Sequence, residues 1–228
     1  SPANLKGVQV DDGFVFRRGD VREYGDVESA MRGADAVIHL GAITGAASTH
    51  EHAPETMAVN RDGTENVLQA AAKLECEIVV VASSCNVYGR ATSTNLNEAT
   101  SPDPINPYAE SKVAAEELLS EYIRKRDVNG TALRMSTVYG WAPGIRFNLV
   151  VNHFVFRALT RRLLTVYGDG PNWRPFIASQ DAARAFADAA LHPKRWPASV
   201  YNVGAPDDKG QIAEVADPFQ QNDVHGIS

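Results

Sequence analysis

The chain has 228 residues, 44% hydrophobic and 22% charged, with a net charge of -6. That is a globular composition with enough apolar residues for one sizeable core, or one core and a small lobe. The acidic balance gives no electrostatic reason to expect nucleic acid, and no apolar run reaches membrane-spanning length.

Short apolar runs alternate with amphipathic stretches, the pattern of a parallel sheet with crossover helices. Phe14-Val15-Phe16 reads as a strand running into Arg18-Gly19-Asp20, followed by a short helix near residues 27–32. Asp35-Ala36-Val37-Ile38-His39-Leu40 reads as a buried parallel strand. A loop is expected over residues 41–52. Pro54, suited to a first helical turn, introduces a helix through Asn60 and Leu68 to about Lys73. A strand over residues 78–82, a polar loop and a helix from Tyr108 to about Arg126 come next. Residues 131–135 form another strand. Beyond it a helix is expected near residues 149–161, a turn at Tyr167-Gly168-Asp169-Gly170, a helix near 180–191 and a strand at 199–203. The alternation loosens from about Gly140. Two parts are therefore expected, residues 1–140 with the Tyr108 helix and residues 141–228 as a smaller lobe interleaved with the last elements of the first.

Cys76 and Cys85 do not make a disulfide framework, and a cytoplasmic setting is expected. His50-Glu51-His52 is the only metal-like cluster. Its spacing, in an expected loop, lacks the i, i+4 geometry of zinc hydrolases, so a metal site is not expected.

The chemistry concentrates in Asn106-Pro107-Tyr108-Ala109-Glu110-Ser111-Lys112. Tyr108 and Lys112, four apart on a helix, share one face. An ammonium beside a phenol favours the phenolate and makes a proton donor and acceptor usable near neutral pH. A tyrosine that takes a proton from a sugar hydroxyl needs a hydride acceptor beside it, which points to nicotinamide chemistry. Chance also places Tyr and Lys at this spacing on many helices. The strand ending in Ser83-Ser84-Cys85-Asn86-Val87-Tyr88-Gly89 favours the chemical reading, because ligands of parallel sheets bind at carboxyl strand ends. A serine there can hydrogen-bond the oxygen that the tyrosine deprotonates, or simply cap the turn.

In this order and spacing the blocks Gly19-Asp20-Val21, Val37-Ile38-His39-Leu40-Gly41-Ala42, Val59-Asn60-Arg61-Asp62-Gly63-Thr64, Ser83-Ser84, Val87-Tyr88-Gly89, Tyr108 with Lys112, Leu133-Arg134, Arg174-Pro175-Phe176 and Tyr201-Asn202-Val203-Gly204 are specific. They resemble the extended short-chain dehydrogenase/reductase family, in particular the NAD-dependent nucleotide-sugar epimerases and dehydratases. The resemblance runs from about Asn4 to Ala205. It implies an α/β, Rossmann-like parallel sheet with flanking helices and a small C-terminal substrate-binding lobe.

It also implies roles. Tyr108 is the general base and acid, Lys112 tunes it and holds the nicotinamide ribose, and Ser84 hydrogen-bonds the reacting hydroxyl. Asp20 and Val21 lie by the adenine, Leu40, Gly41 and Ala42 flank the NAD cofactor with Ser83, and Asn60 supports the site. Ser84, Asn86, Asn148 and Arg174 face the nucleotide-diphosphate sugar, with Asn148 and Arg174 on its phosphates. Without the resemblance, Arg174 reads as a surface charge and Asn148 as a helix cap. The family's paired helices imply a homodimer, for which Ala114, Ala115 and Leu118 supply small and apolar positions.

Two departures matter. The family's G-x-x-G-x-x-G turn, whose backbone amides approach the pyrophosphate, does not occur in the 228 residues. The sequence is accordingly expected to be an incomplete piece starting just before the family's third strand, with doubtful competence on its own. Residues 207–228 match nothing in the family pattern. The choice between NAD and NADP is set at the end of the family's second strand, outside this sequence.

The family's first step removes a proton from a sugar hydroxyl, at C4, with hydride transfer from that carbon. A 4,6-dehydratase then uses Asp-Glu directly after the active-site hydroxyl, where this chain has Cys85 and Asn86. A 4-epimerase is therefore the leading expectation. A 4-keto-sugar reductase is its alternative, a dehydratase ranks below, and a non-catalytic nucleotide-binding member is the alternative class. A catalytic thiol in such relatives sits one position later than Cys85, so an inert buried thiol is expected.

Overall fold

The computed structural model describes residues 5, 7, 13–89, 95–160, 162–164, 166, 173–205 and 209–221. They form two compact units, one of Arg17–Met135 with Ala183–Val203, the other of Ser136–Ala182 with the segments before Arg17 and after Val203.

The first unit is built on four parallel strands in the order β1 (Ala36–His39), β2 (Ile78–Ser84), β3 (Gly130–Met135) and β6 (Val200–Val203). Ala36 pairs with Ile78, Val79 with Gly130 and Ala132 with Val200. β2 has strands on both sides, and Ile78, Val79 and Val80 have no exposed surface, as a central parallel strand requires. α1 (Tyr24–Met31) precedes β1, and α2 (Ala46–Glu51), α3 (Ala53–Met57), α4 (Gly63–Leu74) and α5 (Pro107–Arg126) lie between strands. Val27 and Met31 of α1, Leu68 and Ala71 of α4 and Leu118 and Leu119 of α5 meet Val79 and Val81 in one core.

Several expectations change. Residues 14–16 are not a strand: Val15 and Phe16 are exposed and pair with no strand among the described residues. An apolar run becomes a strand only where a neighbour takes its hydrogen bonds. β1 is an edge strand rather than a buried one, with Ile38 41% exposed. The expected loop over residues 41–52 contains α2, so His50 and Glu51 are helical. Ala115 and Leu118, expected to support a dimer, are 1% and 8% exposed within this unit's own packing.

In the second unit β4 (Thr137–Tyr139) runs parallel to β5 (Trp173–Ala178), and β5 antiparallel to β7 (Lys209–Gln211). Helix α6 (Val150–Leu159) packs on α8 (Ile212–Gln221). α7 (Ser179–Leu191) leads from β5 into the first unit. β7 and the start of α8 give structure to part of the C-terminal stretch that the sequence left unassigned. The expected turn at Tyr167-Gly168-Asp169-Gly170 lies outside the described residues. No helix among those described is long and apolar enough to cross a membrane.

Candidate active site

The site begins where β2 ends. After Ser83 and Ser84 the chain tightens into a 3-10 turn, Cys85–Tyr88. The Ser84 hydroxyl oxygen accepts the Asn86 backbone N–H at 3.2 Å, so the serine caps this turn. Accepting that bond leaves its own proton to donate. The Asn86 side chain is exposed in the same turn, and Cys85 is half-buried.

α5 begins by the rules for helix starts. Asn106 Oδ1 accepts the Ala109 N–H at 2.9 Å, and Pro107 takes the first turn, where its missing N–H costs nothing. The helix packs on β2 and on the 3-10 turn. Tyr108 is half-buried in its first turn. Lys112, one turn on and 6% exposed, donates from Nζ to the Ala82 carbonyl at 2.7 Å. Its Nζ lies 5.8 Å from the centre of the Tyr108 ring. Burial pushes this ammonium from 10.5 down to about 8, with the Glu116 charge acting the other way.

Asn60 is the hub behind this pair. It is 1% exposed and lies in a π-helical turn, Ala58–Asp62, closed by a bond from Gly63 N–H to Ala58 O. Such widened turns often mark functional sites. Asn60 Oδ1 accepts the Ile43 N–H at 2.7 Å, and its Nδ2 donates to Ile43 O and to Ser111 Oγ, both at 2.9 Å. Ser111 in turn donates to the Tyr108 carbonyl at 2.8 Å. One amide thus joins the loop after β1 to the helix turn that carries the tyrosine.

Of the other residues expected around a cofactor, Asp20 and Val21 lie just before α1 and Leu40, Gly41 and Ala42 just after β1. Gly41 packs so closely that a Cβ there would lie 3.2 Å from Val21 Cγ1, and a Cβ on Gly63 would collide with the same side chain. Asn66 Nδ2 holds the Val21 carbonyl at 2.9 Å, and the Asp20 N–H bonds Asp26 at 3.0 Å. A side-chain hydrogen bond from Arg22 draws the Asp20 carboxyl down to about 2. Leu40 is exposed and Ala42 half-buried in the connecting turn. Beside them His39 is buried, its Nε2 3.1 Å from Thr64 Oγ1. The Thr64 hydroxyl donates to Asn60 O, so the ring nitrogen is the donor in that contact. Burial, then the Lys112 charge, takes this imidazole from 6.5 down to about 4.

Ser83, expected beside the cofactor, is buried at the end of β2. Its hydroxyl donates to Glu116 of α5. Arg134 of β3 grips the same carboxylate from Nη2 at 2.7 Å and from Nε at 3.0 Å, while its Nη1 donates to Tyr88 at 2.8 Å. Burial works against the Arg134 charge, but Glu116 and Tyr88 hold it above the usual guanidinium range. The sequence reading did not pick out Glu116. An arginine inside an apolar strand is the signal that a buried carboxylate must face it.

Asn148 and Arg174 belong to the second unit. Asn148 is exposed in the turn before α6; it is not the cap, since Leu149 holds that position without a side-chain bond. Arg174 is exposed on β5 and donates to the Trp173 carbonyl at 3.2 Å.

The pattern of the NAD dependent epimerase/dehydratase family matches residues 2–204. A Bacillus subtilis (strain 168) protein named as an uncharacterized UDP-glucose epimerase, YtcB, is 28% identical over 202 residues, 88% of this chain and 62% of the relative. A UDP-N-acetyl-alpha-D-glucosaminuronate decarboxylase of Bacillus cytotoxicus is 34% identical over 194 residues, 82% of this chain and 59% of the relative. The crystal structure of DesIV, a dTDP-glucose 4,6-dehydratase of Streptomyces venezuelae with NAD and TYD bound, matches with a TM-score of 0.85 at 26% identity, over 96% of this chain and 66% of DesIV. The chain spans about three-fifths of the length of these two curated relatives. Their names cover several chemistries, but one family pattern runs through nearly all of the chain that holds Ser84, Tyr108 and Lys112. The chain therefore belongs to the NAD dependent epimerase/dehydratase family, within the extended short-chain dehydrogenase/reductases.

Proposed function

We propose that the complete protein is an NAD-dependent sugar-nucleotide 4-epimerase. The observation that carries this reading is the buried Lys112 ammonium one turn from Tyr108, anchored beneath a strand end whose hydroxyl, Ser84, is followed by a thiol and an amide instead of two carboxylates.

The residues present fit a dinucleotide. An ammonium has three N–H donors, and the Ala82 carbonyl takes one; the other two find no acceptor among the described residues. That donor set suits the two hydroxyls of a nicotinamide ribose. In this reading Asp20, Val21, Leu40, Gly41 and Ala42 contact the rest of the dinucleotide. Bound there, NAD would supply the reversible hydride acceptor for C4 of the sugar.

Around that exchange, the chain's own groups move and hold protons. The Tyr108 oxygen, its anionic form favoured by the nearby ammonium, takes the proton from the C4 hydroxyl and later gives it back. Ser84 donates to the same sugar oxygen, since the Asn86 N–H uses a lone pair of the hydroxyl and leaves its proton to give. Cys85 and Asn86 offer no carboxylic acid to expel a 6-hydroxyl and no carboxylate for a C5 proton. Dehydration therefore lacks its acid and its base, and return of hydride to the other face of the keto sugar gives the C4 epimer. Asn148 and Arg174 hold the nucleotide diphosphate in this reading, and Asn86 contacts the sugar.

A cytoplasmic setting belongs to the proposal, in keeping with a sequence of only two cysteines. So does a homodimer, although its α5 support has narrowed to the half-buried Ala114.

The test is to incubate the complete protein with UDP- and dTDP-sugars and read the C4 configuration of products by NMR. The same C4 mixture reached from either epimer, and lost in Tyr108→Phe with cofactor affinity retained, supports the reading. A 4-keto-6-deoxy product overturns it.

A further inference from the structure

Glu116 and Arg134 form an ion pair whose side chains are 11% and 5% exposed. Desolvation offsets much of the attraction in such a pair, so its presence is weak evidence of a purely stabilising role. Its connections point to another role.

The carboxylate stands on α5 one turn beyond Lys112. On one side it accepts the hydroxyl of Ser83, the residue before Ser84. On the other it holds Arg134, whose Nη1 donates to the hydroxyl of Tyr88 at 2.8 Å. The Tyr88 hydroxyl also lies 2.7 Å from Asn202 Oδ1 on β6. Residues 83 and 88 bracket the Ser84 turn, and both are tied, directly or through Arg134, to this one carboxylate.

We infer that Glu116, clamped by Arg134, is a positioning residue that fixes the Ser84 hydroxyl against the helix carrying Tyr108 and Lys112. The inference rests on the reading of those three residues as the reacting set. Glu116 touches neither sugar nor cofactor in it; it acts through Ser83 and Tyr88. Lys112 feels Tyr108 and Glu116 from its own helix and His39 from β1, so the Glu116 charge also helps keep the ammonium protonated.

The experiment uses the complete protein and its C4 epimerisation. Ser83→Ala cuts the tie while leaving the ion pair in place. Its kcat should fall about 10- to 100-fold, the scale of a small misplacement at a reacting centre. KM and the melting temperature should stay near wild type, and Ser83→Thr, which keeps the hydroxyl, should restore kcat. Glu116→Gln should move the alkaline limb of the kcat profile to lower pH, because Lys112 loses a neighbouring negative charge. If Glu116→Gln does not fold, Ser83→Ala and its threonine rescue decide alone. Unchanged kcat in Ser83→Ala, alongside a dead Tyr108→Phe, overturns the positioning role and leaves the proposed reaction standing. Wild-type turnover in Tyr108→Phe overturns both.

Discussion

The Lys112 ammonium sits 2.7 Å from the carbonyl oxygen of Ala82, two residues before Ser84 on the same strand. That bond pins the middle of α5 to the end of β2. It is also costly, because a buried cation has given up its water for one carbonyl acceptor and a tyrosine ring. A lysine in such a place persists for what its charge does there.

That cost is measurable. The native ammonium releases its proton at about 8, against 10.5 in the unfolded chain. Below pH 8 both states are charged and the full penalty applies; between 8 and 10.5 only the unfolded state is, so stability recovers as pH rises. Lys112→Met should therefore be more stable than wild type at pH 7, by up to about 3 kcal/mol, with the advantage fading toward pH 10. Urea denaturation of both proteins at the two pH values checks this. The same variant should lose turnover.

His39 acts with the same sign at lower pH. Its native ring stays neutral down to about 4, while the unfolded chain takes up a proton near 6.5. Stability should fall as pH drops through that interval, by up to about 3 kcal/mol from this residue. His39→Gln keeps an N–H donor for Thr64 and cannot titrate. Its denaturation midpoint should be flatter than that of wild type between pH 7 and pH 4.

Residues whose roles depend on local spacing could be found in the sequence; those set by distant partners could not. Tyr108 and Lys112 are four apart on a helix, and Ser84 ends an apolar run, so spacing and the strand end single them out and the family resemblance gives them their roles. Phe14 to Phe16 has strand composition, yet composition does not tell whether a pairing partner exists. α2 was read as a loop because its residues, Ala46–Glu51, carry no apolar stripe. Glu116 reaches Arg134 and Ser83 across 18 and 33 residues, a meeting that only the packing of α5 on β2 and β3 creates. β5 escaped notice because Pro175 interrupts it, and β4 and β7 because each has only three residues.

Asn60 carries three hydrogen bonds with a single side chain, two to Ile43 and one to Ser111. Asn60→Leu leaves the Ile43 N–H and carbonyl and the Ser111 hydroxyl without it. Unpaired groups of this kind should cost about 3 kcal/mol or more in total. Asn60→Asp keeps the acceptor for the Ile43 N–H and should fall between the two. Hydrogen exchange at the Ile43 amide separates the variants, fastest in Leu and intermediate in Asp. Equal exchange in all three would show that the loop after β1 is held by other contacts.

Gly89 closes the turn that Ser84 opens, with φ 61 and ψ -127, a backbone that side chains rarely adopt. Space is lacking too: a Cβ there would run into the carbonyl oxygen of Asp103, whose N–H bonds Val87 O at 2.9 Å. Backbone on both sides leaves little freedom to relax. Gly89→Ala should therefore cost at least about 2 kcal/mol of stability and shift the Cys85–Tyr88 turn. Because that turn supplies the Asn86 N–H that orients Ser84, kcat should drop as well, in a protein that still binds cofactor. Denaturant midpoints with dinucleotide titration test both halves, and a stable, fully active variant would show that the turn yields without moving Ser84.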